Sequence, residues 1–475
     1  MRDLVMYEVE LKLQIPKQKK AQIQKAVQAL SPQTIALHAQ YFDTDDFILA
    51  QHFIAIRLRK EHQAWTQTLK SAGKNALERY ENDVHRGEFS DVPALDLTVY
   101  EHDVLATKAL QPIIHNGQFL LVRMQFETVV ERTYQVVEHQ GAQIEICLDL
   151  GHLGNSTHQE EICEIEFELV SGSPLALIDL VQIWVKKYGI WLDIRSKAER
   201  GNLIARSLLV SPAKKTTYPI FSSHSRLAEA FPRFLLHYTQ SFLPHLAAIA
   251  DQIAEQEHYI QAEKSLAHVL YLTTEFDAEQ QWIASQHIQS LQHIQKQLQH
   301  YLALSAVDQR LNDTLTEHQL NGLSKGVTQL QAQLAKDIIT SDVTWAVLEL
   351  LRLGFKDATV FADDLPNTSW HDALKQQHKQ IKNSPIYTVF ESLSDASLST
   401  IVKLDLLHHY LNKKSYVPAK FVYAAQDVIR INLADEQIAA LRMLKTEQFL
   451  LTGWLLAEKE YTLKRYEKQW AKLNP

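Results

Sequence analysis

Residues 7–12 read Tyr-Glu-Val-Glu-Leu-Lys, with charged and apolar side chains in strict alternation. Successive side chains of a β-strand point to opposite faces, so Glu8, Glu10 and Lys12 share one face and the apolar residues between them share the other. The segment therefore predicts a strand with one buried apolar face and one face made only of ionic groups.

The same two-residue period recurs through the first half of the chain. Strand patterns cover Val5–Ile15, Ile35–Asp43, Phe53–Lys60, Ala64–Ser71, Leu77–Arg86, Phe119–Phe126, Thr128–His139, Ala142–Leu150 and Glu161–Val170. Helical spacing interrupts them at Lys17–Leu30, Leu97–Leu110, Pro174–Tyr188 and Lys197–Leu208. Strands predominate, which predicts a sheet-rich α+β unit with flanking helices.

Charged side chains on the ionic faces come in blocks of one sign. The cations are Lys12, Arg57, Arg59, Lys70, Arg79 and Arg132. The carboxylates are Glu8, Glu10, Glu81, Glu145, Asp149, Glu164, Glu166 and Glu168. A solvated sheet face explains such charges on any one strand. Segregated charge on six strands together favours a sheet closed into a barrel whose ionic face lines the interior.

An interior that carries both signs suits a phosphate chain bound together with divalent cations. Guanidinium groups bind phosphate oxygens in pairs, and ammonium groups add point charge. The carboxylates would repel the same chain unless metal ions lay between them, and oxygen ligands select hard ions such as Mg²⁺ or Mn²⁺. The pattern therefore predicts a metal-dependent phosphate site.

An ExExK motif and eight further motifs, in the family's order, resemble the CYTH superfamily, the triphosphate tunnel metalloenzymes. The motifs are Glu8–Lys12, Tyr41–Thr44, Arg57–Arg59, Thr68–Lys70, Arg79–Glu81, Phe126–Thr128 with Arg132, Ile144–Asp149, Glu164–Glu168 and Ser196–Gly201. The last of them is especially similar to bacterial inorganic triphosphatases that carry a helical second domain. Val130 departs from the pattern, since an aromatic residue is common there.

The resemblance implies a tunnel of eight antiparallel strands in which inorganic triphosphate is hydrolysed to diphosphate and phosphate. The implied metal ligands for Mg²⁺ or Mn²⁺ are Glu8, Glu10, Glu145, Asp149, Glu164 and Glu166. The implied phosphate-binding residues are Lys12, Arg57, Arg59, Lys70, Arg79, Arg132 and Lys197, and Lys197 also counts among the catalytic residues. Glu81 and Glu168 are the two candidates for a general base, although metal activation of the water can suffice.

The second half of the chain is predicted to be helical. Residues 1–210 are assigned to the tunnel domain, 211–219, with Pro212 and Pro219, to a linker, and 220–475 to an α-helical domain. Position, length and helicity make this domain resemble the CHAD family, which associates with polyphosphate. The family's arginine-rich helix is missing, because Glu257–Asp277 contains only Lys264 as a strong cation. Weak, salt-sensitive polyphosphate binding is therefore expected.

Composition excludes several classes of protein. The 475 residues include 48 Lys and Arg against 56 Asp and Glu, a net charge of −8 that disfavours nucleic-acid binding. Two cysteines are too few for a disulfide framework and fit a reducing compartment. No secretory signal and no membrane-spanning run is recognised, so we expect a cytoplasmic protein with no membrane partner.

Two other classes of function remain open at this point, hydrolysis or cyclisation of an organic triphosphate and a non-catalytic role. Thiamine-triphosphate hydrolysis or class IV adenylate cyclisation would use nearly the same cations, with different groups at the tunnel mouth. A non-catalytic polyphosphate-binding or scaffold protein would retain the barrel without turnover. The intact acidic and basic positions favour an enzyme.

Overall fold

The computed structural model describes residues 7–73, 78–276, 282–311, 317–383 and 449–470, with single positions at 402, 406, 409, 410, 434, 435 and 438. The chain forms two compact units, Met1–Pro212 and Ala213–Pro475. Part of the second half, which the sequence predicts to be helical, lies outside the described residues. The finer domain limits given above stay a prediction.

The first unit is built on a closed antiparallel barrel. Its strands are β1 (Tyr7–Gln14), β2 (Gln33–Asp43), β3 (Ala55–Glu61), β4 (Ala64–Ala72), β5 (Glu78–Glu88), β8 (Arg123–His139), β9 (Ala142–Gly154) and β10 (Gln159–Ser171). They are hydrogen-bonded in the order β10-β9-β8-β2-β3-β4-β5-β1, and β1 pairs with β10 to close the ring. The predicted eight-stranded antiparallel barrel and α+β class are confirmed.

Three shorter strands accompany the barrel. Ile114–His115 (β6) and Gln118–Phe119 (β7) form a separate two-stranded ribbon. Trp191–Leu192 (β11) extends the barrel sheet beside β1.

One boundary predicted from the sequence is wrong. The patterns at Phe119–Phe126 and Thr128–His139 predicted two strands, whereas β8 runs unbroken from Arg123 to His139. The pairing with β2 shifts between Tyr41 and Phe42, where one residue of β8 is left over. A β-bulge inserts one extra residue and disturbs the alternation without ending the strand. The break in period was therefore a bulge rather than a turn.

The helix predicted at Leu97–Leu110 is two helices. A 3₁₀ turn covers Leu97–Tyr100, and an α-helix (α3) begins at Val104. The Asp103 carboxylate accepts hydrogen bonds from the backbone N–H groups of Leu105 and Ala106 and so caps a new helix start. The other helices of this unit are α1 (Lys20–Gln28), α2 (Ile48–Gln51), α4 (Pro174–Tyr188) and α5 (Lys197–Ala205).

Alternation separates the outer face of the barrel from its lumen. Ile56, Leu69 and Tyr80 point outward into a buried cluster with the segment at Leu97 and with α3. The intervening side chains of the same strands, Arg57, Lys70 and Glu81 among them, point into the lumen. The ionic face inferred from the sequence is thus the inner face of the barrel.

Helix α5 covers an apolar part of that inner face. Ser196 caps the helix by accepting from the Glu199 N–H, and Ala198 and Ala205 pack against Tyr41 and Phe126. A Cβ atom at Gly201 would collide with the Phe126 ring, so only glycine permits this close approach. The lumen is therefore ionic along one part and apolar beneath α5, a division that the sequence pattern did not indicate.

The second unit is helical. Its described residues form the helices α6 (Leu227–Ala250), α7 (Gln256–Phe276), α8 (Ser285–Leu311), α9 (Glu317–Asp337), α10 (Ser341–Gly354), α11 (Thr359–Ala362), α12 (Trp370–Asn383) and α13 (Phe449–Trp470). Phe231 and Phe234 of α6 are fully buried among aromatic neighbours that include Phe361 and Trp370. Among the described residues, no helix combines the length and apolar character required to cross a bilayer.

Candidate active site

Two ionic clusters lie on the inner face of the barrel. The first, called the Lys70 cluster, consists of Lys70, Glu8, Glu81 and Arg57. The Lys70 ammonium lies 2.7 Å from Glu8 Oε2 and 2.9 Å from Glu81 Oε2, and Arg57 Nη2 lies 3.5 Å from Glu81 Oε1. These contacts join the neighbouring strands β3, β4, β5 and β1 on the inner face of the barrel.

The two carboxyl groups of the Lys70 cluster differ in basicity. Burial raises the pKa of Glu8 to about 9 against the opposing effect of the Lys70 cation, and the Glu10 and Glu81 charges raise it further. Burial would also raise the pKa of Glu81, but the Lys70 and Arg57 cations prevail and lower it to about 2. At neutral pH, Glu8 is therefore protonated and Glu81 is an anion.

The second group, called the Lys197 cluster, consists of Lys197, Arg132, Asp149, Glu164 and Glu166. The Lys197 ammonium lies 2.7 Å from Asp149 Oδ2, 2.5 Å from Glu164 Oε1 and 2.8 Å from Glu166 Oε1. Arg132 donates to both Asp149 oxygens and, over 2.6 Å, to Glu166 Oε2. The start of α5 thus places one ammonium group among three carboxylates of β9 and β10.

All six carboxylate oxygens of this cluster contact a cation. Lys197 and Arg132 contact five of these oxygens, and the sixth, Glu164 Oε2, accepts from Arg200 Nη1 over 3.2 Å. Burial opposes ionisation of Asp149 and Glu166, yet Lys197 and Arg132 lower the pKa of both carboxyl groups. The Asp149 and Glu166 carboxylates are therefore held ionised in a water-poor environment.

The same three carboxylates can hold a metal ion. One oxygen from each of Asp149, Glu164 and Glu166 falls within 4.8 Å of the others. An all-oxygen donor set of this kind suits a hard divalent cation such as Mg²⁺ or Mn²⁺. The residues present therefore fit the metal predicted from the sequence, at the position now taken by the Lys197 ammonium.

Two arginines of β3 have buried donors that are not used. Within the described part of the chain, Nε of Arg57 and Nε of Arg59 are buried and have no hydrogen-bond partner. Burial lowers the pKa of Arg59, and the neighbouring Arg57 cation lowers it further. Buried donors without acceptors, on two adjacent like charges, indicate a binding place for an anion.

Lys12 lies near the Lys197 cluster. It is opposite Glu166 across the β1–β10 pair, and its ammonium donates to the backbone carbonyl of Arg195. Arg79 lies opposite Glu8 across the β1–β5 pair and belongs to neither cluster.

Three further carboxylates predicted from the sequence lie beside one another on the lumen face. Glu168 pairs with Glu10 of β1 on one side and with Glu145 of β9 on the other. Burial, together with the Glu10 and Glu145 charges, raises the pKa of Glu168. Glu145 accepts a hydrogen bond from the Cys147 thiol over 3.1 Å. They line the lumen outside the two clusters.

Sequence reasoning missed three residues that support the clusters. Arg200 holds Glu164 from the side away from Lys197, and Asp193 and Arg195 contact each other just before α5. All three lie in the run Asp-Ile-Arg-Ser-Lys-Ala-Glu-Arg at residues 193–200. Charged residues at this density, beside a buried strand at Trp191–Leu192, were the available signal.

Comparison with known proteins finds similarities over the first unit. The family model of the CYTH domain matches residues 6–201. An inorganic triphosphatase from Haemophilus influenzae is 30% identical over 216 residues, which cover 43% of this chain and 56% of that protein. The chain thus matches little more than half the length of this curated relative.

Solved structures show more distant likenesses. A Hippeastrum protein with a dominant triphosphatase activity is 19% identical, with a TM-score of 0.30, over 43% of this chain and 97% of its own. A CHAD domain from Ricinus communis is 13% identical, with a TM-score of 0.41, over 54% of this chain and 91% of its own.

Proposed function

We propose that this chain is a metal-dependent triphosphatase, because the family model of the CYTH domain matches residues 6–201. Its substrate is inorganic triphosphate, and its products are diphosphate and phosphate. The triphosphatase class is supported by the Haemophilus influenzae relative, which is an inorganic triphosphatase. The proposal further specifies that the substrate is inorganic and not organic triphosphate.

The observation that carries the proposal is the pair of unused buried donors on Arg57 and Arg59. Both side chains belong to the lumen face, and each Nε–H lacks an acceptor among the described residues. A linear triphosphate offers several anionic oxygens along its length, so one molecule can reach two side chains that lie two residues apart on β3. It would satisfy both donors and neutralise the adjacent like charges.

The chain's own residues fall into two roles in this proposal. Lys12, Arg57, Arg59, Lys70, Arg79, Arg132 and Lys197 bind and orient the phosphate chain. Glu8, Glu10, Glu145, Asp149, Glu164 and Glu166 are the candidate metal ligands, and Asp149, Glu164 and Glu166 have the closest oxygens. A bound Mg²⁺ or Mn²⁺ supplies Lewis-acid stabilisation of phosphate charge.

Of the two candidate general bases, we favour Glu168. Both oxygens of Glu81 already contact cations, Lys70 on one side and Arg57 on the other. These contacts stabilise the carboxylate and weaken it as a base. Glu168 has carboxylate neighbours instead and can accept a proton from water in the lumen.

The test is phosphate release from triphosphate, ATP and thiamine triphosphate, each with Mg²⁺, Mn²⁺ or a chelator. We expect fastest turnover of inorganic triphosphate and loss of activity with the chelator. Preferred turnover of ATP or thiamine triphosphate would replace the substrate assignment with the corresponding organic one. An unchanged rate in chelator would overturn the metal requirement.

The second unit is proposed to be a CHAD-like helical domain with weak affinity for polyphosphate. The described helix Gln256–Phe276 carries Lys264 as its only Lys or Arg. We expect retention on long-chain polyphosphate at low salt and release as salt rises. Tight retention at high salt would contradict this proposal.

We also propose a cytoplasmic location, in keeping with the free thiols of Cys147 and Cys163.

A further inference from the structure

We infer that Asp193 is a positioning residue that sets the location of both Lys12 and Lys197. The inference deepens the proposed function and rests on it, since these lysines are assigned there to phosphate binding. Asp193 is fully buried, lies outside both clusters and was not singled out by the sequence patterns.

The Asp193 carboxylate is the centre of a compact hydrogen-bond network. Oδ1 accepts from the backbone N–H of Arg195 over 2.9 Å and from its Nε over 3.0 Å. Oδ2 accepts from Arg195 Nη2 over 2.8 Å and from Gln14 Nε2 over 2.9 Å. Four donors from two neighbouring segments therefore fix this one side chain.

The network holds Lys12 at two points. The backbone N–H of Asp193 donates to the Lys12 carbonyl over 3.0 Å, and the Lys12 ammonium donates to the carbonyl of Arg195. The contacts between Asp193 and Arg195 thus place the Arg195 carbonyl where it accepts from the Lys12 ammonium. One of the three ammonium hydrogens is used in this way, which leaves donors for a ligand in the lumen.

The same turn determines where α5 begins. Arg195 is followed by Ser196, whose side chain caps the helix, and by Lys197, its first residue. The three ion pairs of Lys197 with Asp149, Glu164 and Glu166 require the helix to start at this place. A shift of residues 193–196 would therefore move both lysines together.

The experiment measures lysine reactivity in the full chain with Asp193→Asn. Short exposure to an amine-acylating reagent, followed by peptide mass spectrometry, gives a labelling rate for each lysine. We expect Lys12 and Lys197 to label about five- to ten-fold faster in the variant, because a shift of residues 193–196 would weaken the contacts that hold each ammonium group. Lys70 should change by less than about two-fold, since its contacts with Glu8 and Glu81 do not involve the network.

Asp103→Asn is the matched control, because Asp103 caps α3 on the outer face of the barrel. It should leave the labelling of Lys12 and Lys197 unchanged. If Asp193→Asn does not fold, Arg195→Lys retains the charge and removes the two-point contact with Asp193. We expect Lys12 labelling to rise about two- to three-fold in that variant.

Kinetics separates a positioning role from a merely structural one. With triphosphate, Asp193→Asn should raise KM about ten-fold, and the effect should be much smaller in a Lys12→Gln background, because the two residues act through one contact. Asp103→Asn and Lys12→Gln should instead have independent effects.

Unchanged Lys12 labelling in folded Asp193→Asn would overturn the inference. Failure of the parent protein to hydrolyse triphosphate would overturn the proposed function, while the labelling still reports whether Asp193 holds Lys12.

Discussion

The Lys70 cluster and the Lys197 cluster use the same residue types to opposite effect. At neutral pH the Lys70 cluster has two cations, one ionised carboxylate in Glu81 and one protonated carboxyl in Glu8. In the Lys197 cluster, every oxygen of three carboxylates contacts a cation once Arg200 is included. The first cluster therefore has positive charge to spare, whereas the second is balanced within the protein.

This difference suggests how one lumen can serve both a polyanion and a metal ion. A phosphate chain would gain most beside the Lys70 cluster and the unused donors of Arg57 and Arg59. A divalent cation held by Asp149, Glu164 and Glu166 would take the place of the Lys197 ammonium, which lies between them. The carboxylates would then exchange one counter-ion for another and would not be left unpaired.

The largest effect is expected for Arg132→Met. The substitution leaves the fully buried Asp149 without its two-point partner, so the free energy of unfolding should fall by about 3–5 kcal/mol. Arg123→Met, on the same strand but solvent-exposed, should change it by less than about 0.5 kcal/mol. Urea denaturation of both variants measures this. Equal losses of unfolding free energy in the two variants would contradict a stabilising role for the balanced charges of the Lys197 cluster.

Arg59→Ala tests the unused donor on Arg59. Losing one preorganised donor should cost about 2–4 kcal/mol of transition-state stabilisation, which corresponds to about 30- to 1000-fold in turnover of triphosphate. Steady-state phosphate release with Mg²⁺ or Mn²⁺ measures the rate. A rate within a few-fold of the parent would remove Arg59 from the binding site.

The split pKa values in the Lys70 cluster predict opposite effects of two similar substitutions. The folded barrel keeps the Glu8 proton up to about pH 9, whereas the unfolded chain loses it near 4.5, so stability falls as pH rises across this window. Glu8→Gln should remove that slope and raise the free energy of unfolding at pH 8 by about 1–2 kcal/mol.

Glu81 provides the counterpart. Its lowered pKa stabilises the fold above pH 4.5, and this contribution is lost as the pH falls towards 2. Glu81→Gln should therefore destabilise the barrel at pH 7. Denaturation curves at pH 5, 7 and 8 in chelator test both variants, and changes of the same sign would contradict the split.

The smallest expected effect concerns metal affinity. Lys197→Met removes the ammonium that competes for Asp149, Glu164 and Glu166, so Mn²⁺ should bind about ten-fold more tightly. Electron paramagnetic resonance of free Mn²⁺ measures the binding without turnover. Lys187→Met is the control, because Lys187 lies in the last turn of α4 and outside the lumen clusters. Weaker Mn²⁺ binding in Lys197→Met would place the metal elsewhere.

The sequence predicted the barrel and the charged residues of its inner face because a two-residue period shows directly which side chains share a face. Glu8, Arg57 and Glu166 were identified in this way. The period says nothing about distance across a closed barrel, so the grouping into two clusters could not be predicted. Nor could the contacts of Arg195 and Asp193, since they depend on how the segment after β11 turns. The bulge in β8 shows a second limit. Gln125 is the residue of β8 left over in the pairing with β2, and in a single sequence the disturbed alternation looks like the end of a strand.

Closure of the barrel between β1 and β10 also bears on synthesis. Gln14 pairs with Glu164, so the seam joins residues 150 positions apart (164 minus 14). During translation, the edge of the first strand that pairs with β10 stays open until Gln159–Ser171 has been synthesised. Pairings so distant in sequence fold slowly and leave an open edge exposed meanwhile. We therefore expect the first strand to be a target for chaperones until most of the unit has been translated.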